Sequence, residues 1–333
     1  MLERGAHITS TPIVPDRKNL IISLVLVLAF AIRILYILQI KNNSNFFDFP
    51  VVDADEYYQW ALRILQGEWF PGNKVPIHGP VYPLVLAAIL GVSGNSFMIV
   101  YITQIIFSVI TCYLTFKIGL RLFGTKTGIV ACAMMTLYWP SIYFCGELLS
   151  ETFYTMVLML LLLLCIEICD KKKQGFFSYF WLGGMLGISS LIRPNVLFFL
   201  PALVIYLLRF QQWSVVQRMR SCAAVILGTI AMIIPPTFIY YSLSGQIVFI
   251  QASTGLNFYL GNNPSSIGLA YPQPGVQWVE LTSWPRREGA VGPAKESLFF
   301  INKSIEFLLA QPIKALILYV KKMLVLINNF EAS

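Results

Sequence analysis

The chain has 333 residues, 57% of them hydrophobic and only 12% charged, about half the charge of an ordinary soluble domain. With a mean hydropathy of +0.69, this excludes a typical soluble enzyme and points to a chain whose main solvent is lipid. The net charge of +8 would raise nucleic acid as a partner for a soluble protein, but here Lys and Arg fall between apolar runs, as the orientation bias of membrane proteins requires.

A spanning helix needs about 20 mainly apolar residues. The first run, 20–40, follows Arg17 and Lys18 and has no small-residue cleavage site behind it, so it reads as a retained helix and not as a removed signal. Further candidate spans are 97–120, 127–144, 152–168, 176–191, 196–208 and 222–243. The run 81–92 is too short to span. The last, 313–327, is interrupted by Lys314, Lys321 and Lys322. The basic residues place Arg17 and Lys18, Lys117 to Lys126, Lys171 to Lys173, and Arg209 to Arg220 on one side, the cytoplasmic one, if 81–92 lies in the interface. The expected fold is therefore an all-α integral membrane protein of about seven transmembrane helices, with interfacial helices in its outer loops. A transmembrane module, 1–243, contains a first outer loop, 41–95. The remainder, 244–333, is a second outer loop followed by an interfacial helix.

The long outer loops hold most of the polar residues that need explaining, and long loops beside a rigid scaffold often carry function. Asp53, Asp55 and Glu56 open a segment, 55–65, in which Tyr57, Trp60, Ala61, Ile64 and Leu65 share a helix face. That helix should lie in the interface with its aromatics at headgroup depth. Asp55 and Glu56 either start the helix or do chemistry. Asp53, in the loop just ahead, is the better candidate for a base. His78-Gly79-Pro80-Val81-Tyr82-Pro83 is a rigid, turn-rich entry to the next helix. Glu147 and Glu151, four apart, would share one helix face and either point into a polar cavity or snorkel to the interface. Arg193, in Arg193-Pro194-Asn195, is a lone outer cation. Its guanidinium suits a phosphate or an ion pair with Glu147 or Glu151. Arg33, in the first span, raises the same question with less force. Asn262 and Asn263 fit a turn or hydrogen bonds to sugar hydroxyls. The six cysteines lie in or beside apolar runs with no CxxC pair, so they read as packing residues and not as a disulfide or metal set.

Taken in order, these pieces resemble the GT-C type of membrane glycosyltransferase, in particular the glycosyltransferase family 39 or protein-mannosyltransferase-like group. The matching residues are Asp53-Ala-x-Glu56-Tyr57, Pro80-x-Tyr82-Pro83, Arg121-Leu122-Phe123-Gly124, Leu149-Ser150-Glu151, Arg193-Pro194-Asn195 and Gly261-Asn262-Asn263-Pro264.

The resemblance implies a GT-C-like module that transfers a sugar from a polyprenyl phosphate to an acceptor (a glycan, lipid or protein), with inversion, at the outer face of a bacterial cytoplasmic membrane. It implies Asp53 as the general base. Asp55 and Glu56 belong to the same catalytic group. Arg193 faces the donor phosphate, and Glu151, Glu147, His78, Tyr82, Asn262 and Asn263 line the substrate. No cofactor is indicated, although a divalent cation near Asp53 and Asp55 fits the residue types. Relatives also continue with further helices, whereas this chain stops at Ser333. A flippase of a lipid-linked saccharide is the competing reading, and a non-catalytic fragment serving a partner is a third. For the flippase, Asp53 discriminates: a transferase needs its carboxylate and a flippase does not.

Overall fold

A computed structural model describes residues 17–44, 47–70, 72, 74–170, 175–209, 213–266 and 276–327. Lys171 to Lys173 and the terminal residues 328–333, both used in the reading above, lie outside them. The described elements are helices: α1 (Arg17–Asn43), α2 (Asp53–Leu65), α3 (Val81–Ser93), α4 (Phe97–Phe123), α5 (Thr125–Leu137), α6 (Trp139–Tyr143), α7 (Glu151–Asp170), α8 (Phe176–Ser190), α9 (Phe199–Arg209), α10 (Val215–Ser244), α11 (Thr254–Gly261), α12 (Val276–Arg287), α13 (Pro293–Ala310) and α14 (Pro312–Ile327). Short 3-10 turns occupy Phe144–Gly146 and Pro194–Phe198. The expected all-α membrane protein is what forms.

The expected seven spans are not all reached. Among the described residues four helices, α1, α4, α7 and α10, are long and apolar enough to cross a bilayer, and α5 with α6 makes a fifth only as a pair bent by 59°. Pro140 explains the break, because proline has no N–H for the helical ladder. The runs expected at 176–191 and 196–208 form helices of 15 and 11 residues, roughly 22 and 16 Å at 1.5 Å per residue, against a hydrocarbon core of about 30 Å. α3, at 13 residues, is likewise shorter than a span. α10 begins seven residues before the expected 222 because Ser214 and Gln217 form a capping box that satisfies two orphan amides.

The chain divides into two compact units, each built from two stretches of sequence: Met1–Asp55 with Val92–Ile166, and Glu56–Gly91 with Glu167–Ser333. In the first, Ile22, Ala29, Cys112, Phe116 and Cys132 form a buried cluster. There α4 and α5 meet with backbones almost touching: a Cβ on Gly119 would lie 2.8 Å from the Gly128 Cα.

In the second unit α8 and α10 pack the same way. A Cβ on Gly183 would sit 2.0 Å from the Val225 carbonyl oxygen, and one on Gly228 2.0 Å from that of Phe180. Small residues let membrane helices approach closely enough for van der Waals contact to hold them. The Thr229 hydroxyl adds a hydrogen bond of 3.1 Å to the Gly183 carbonyl.

The segment 244–310, expected as a loop, is largely helical. α11 packs on α13, where the Gly255 amide donates to the Ser297 hydroxyl at 2.9 Å and Tyr259 lies against Phe300 and Trp284. Gln246 holds the start of α13, its Oε1 accepting from the Ala294 amide at 3.0 Å. Loop-like composition hid these helices because their stability comes from one another and not from propensity.

Candidate functional site

α2 begins at Asp53, two residues earlier than expected, so Asp53 is the first helical residue and not part of the preceding loop. The turn before it places Val52 at φ 53. A β-branched residue there is strained, at a cost of about 1–3 kcal/mol. On a helix, Asp53 and Glu56 lie one turn apart on the same face, whereas Asp55 points elsewhere. The apolar face of α2 also differs from expectation. Tyr57 and Trp60 are 5% and 4% exposed, and the Trp60 indole donates to the Trp69 carbonyl at 3.0 Å. These rings are packed against other protein groups and are not exposed as a surface for lipid headgroups.

Within the second unit, the Glu56 carboxylate meets His78 Nε2 at 2.9 Å. The His78 ring lies 4.7 Å from the Tyr57 ring, which meets the buried Tyr82 edge-on at 5.0 Å. Tyr57 was read as part of an apolar face and of the matching motif; its ring contacts with His78 and Tyr82 join residues that spacing does not connect.

The His78 segment is held by backbone contacts on two sides. The Val81 amide points at the Leu191 carbonyl at 3.4 Å, and Ala252 donates to the Pro76 carbonyl at 2.9 Å. Gly79 presses so closely on the turn at Leu191 and Ile192 that a Cβ would lie 2.2 Å from the Leu191 oxygen. This places the backbone of the turn leading to Arg193 against the His78 segment. Arg193 itself is extended and precedes the 3-10 turn that Pro194 begins. Glu56 and His78 are donors of types a divalent cation accepts, and Asp53 carries a further carboxylate on the same helix.

Asn262 and Asn263 both bond the local backbone. Asn262 donates to the Phe258 carbonyl at 2.8 Å, and Asn263 to that of Tyr259 at 2.9 Å while accepting from Ser265. Lys322 on α14, whose charge sequence reading treated as an interruption, donates to the Gly261 carbonyl and to Asn262 Oδ1. Burial lowers its pKa.

Glu147 and Glu151 belong to the first unit. They do not share a helix: Glu147 is extended, and α7 starts at Glu151, directly after Ser150, a residue type suited to starting helices. The Glu147 carbonyl accepts from Gln104 at 2.8 Å. Its carboxyl is raised above the usual range, chiefly by burial and then by Glu151, against a hydrogen bond from Tyr143. Because its folded pKa exceeds the unfolded one, stability should fall as pH rises through that interval. Thermal midpoints across pH should therefore decline less steeply for Glu147→Gln than for the wild type; equal slopes would refute this. Glu151 lines a cavity of about 210 Å³ with Ser108, Thr111, Tyr138, Ser141 and Thr152.

The fold and these polar clusters define a helical membrane protein with carboxylate, imidazole and guanidinium groups in the segments beside its helices. Residues 77–241 match the family model described as dolichyl-phosphate-mannose-protein mannosyltransferase. This match agrees with the resemblance read from the sequence. No curated protein and no solved structure matches the chain. The matched stretch contains His78, Tyr82, Glu147, Glu151 and Arg193, and begins after Asp53, Asp55 and Glu56.

Proposed function

We propose that the chain transfers a sugar, mannose in the first instance, from a polyprenyl-phosphate donor to a glycan, lipid or protein acceptor, with inversion. The reading places the reaction at the outer face of a bacterial cytoplasmic membrane, with the N-terminus cytoplasmic, because the basic connections then lie on the cytoplasmic side. The carrying observation is the docking of the His78 segment, already tied to Glu56, onto the turn leading to Arg193 within the family-matched stretch.

In inverting glycosyl transfer a carboxylate deprotonates the attacking hydroxyl opposite the leaving group; Asp53 is assigned that step. The leaving group is a phosphate, which needs no proton but gains charge, and a guanidinium stabilises it; Arg193 is assigned that role. Asp55 and Glu56 stand beside the base, and Tyr82, Glu147, Glu151, Asn262 and Asn263 are candidate substrate contacts or supports of the site. The reaction as written needs no resident cofactor.

The test uses the full chain in liposomes with radiolabelled polyprenyl-phosphate mannose and a panel of acceptors. Label entering an acceptor is the expected result. Movement of the donor between leaflets without transfer to any acceptor would replace this reading with the flippase.

A further inference from the structure

Arg33, midway along the spanning helix α1, is completely buried. A guanidinium has five N–H donors, and six acceptors surround them, five oxygens and the Cys112 sulfur, which Nη2 approaches at 3.9 Å. Nε donates to the Ser108 hydroxyl at 2.8 Å. Nη1 donates to the carbonyls of Ala29 and Thr136 at 3.1 and 3.2 Å. Nη2 donates to the Met135 carbonyl at 3.4 Å and the Ser141 hydroxyl at 3.1 Å. No donor is left over for a substrate phosphate, which answers the question the sequence raised about this residue.

The identity of the acceptors is informative. Met135 and Thr136 lie at the end of α5 and Ser141 lies on α6, so the guanidinium bridges the 59° break between these helices. In an unbroken helix the Thr136 carbonyl would accept from the amide of residue 140. Residue 140 is proline and has no such proton. A carbonyl without a partner is expensive at membrane depth. Gln104 serves the far end of the same broken span, donating to the carbonyls of Cys145 and Glu147 at 3.3 and 2.8 Å.

We propose that Arg33 supplies the hydrogen bond that Pro140 removes, and that it thereby sets the bend of the α5–α6 span and positions one wall of the Glu151 cavity. That wall comprises Met135, Tyr138, Pro140, Ser141 and Phe144. The charge is held by neutral oxygens, so the fork geometry matters more than the charge itself. Lysine, a point charge without the fork, is a poor replacement.

A double-mutant cycle on the full chain in detergent tests this. Arg33→Met should lower the thermal midpoint, and the drop should at least halve in a Pro140→Ala background, where the new amide can serve Thr136. Equal drops in both backgrounds would overturn the proposal. Should Arg33→Met fail to fold, Arg33→Lys carries the test through spin labels at the exposed positions 126 and 143. The distance between them should lengthen as the bend relaxes; an unchanged distance would also overturn it.

Discussion

Asp53→Asn should lower sugar transfer by about 10²- to 10⁴-fold, the usual contribution of a positioned general base. Expression, membrane insertion and thermal midpoint should stay near wild type. The asymmetry follows from where Asp53 sits. It is exposed at the first position of α2, so its replacement by the isosteric amide leaves no cavity. Its charge at a helix start is worth about 0.3–1 kcal/mol, far below the 2.7–5.4 kcal/mol (roughly) that the expected rate loss represents. Asp55→Asn is the informative comparison, because two residues along a helix turns the side chain away from the Asp53–Glu56 face; its transfer rate should fall far less. Wild-type transfer by Asp53→Asn, assayed with a radiolabelled polyprenyl-phosphate sugar, would sink the base assignment.

The second large effect is expected at a residue with no chemistry of its own. Gly79→Ala should reduce transfer by about 100-fold, the loss that a displacement near 1 Å can cause in a positioned site. The added Cβ would lie 2.2 Å from the Leu191 oxygen and 2.8 Å from that of Ile192. Both obstacles are backbone, so no side chain can swing aside. The His78 segment must lift from the turn leading to Arg193, or that turn must move. Either shift alters the Glu56–His78 pair at 2.9 Å relative to the guanidinium. The spans pack elsewhere, so the protein should still insert. Gly175→Ala is the control, since a Cβ there meets nothing within 4 Å. If Gly79→Ala and Gly175→Ala transfer equally well, the docking of the His78 segment has no part in the reaction.

Much of this protein could be read from one dimension. Long apolar runs determined the all-helical membrane class, because a backbone in hydrocarbon must satisfy its own hydrogen bonds within a helix. Proline, glycine and charge in a recognisable order along the chain pointed to the family whose model residues 77–241 match. The acidic start of α2 and the cation at Arg193 were legible as residues worth explaining.

What tertiary structure decided concerns partners distant in sequence. The interior packing of Tyr57 and Trp60 depends on residues that periodicity alone cannot supply; an amphipathic face looks the same whether protein or lipid covers it. The helices within 244–310 exist because α11 and α13 pack together, so their loop-like composition misled. Glu147 and Glu151 lost their shared face to a helix start at Glu151 that spacing does not reveal. Arg33 presents the clearest contrast. The sequence showed a cation in a span and could not say what it faces. Only the fold brings it to the carbonyl that Pro140, more than 100 residues away, leaves without an amide, because a hydrogen bond depends on where groups meet in space and not on where they stand along the chain.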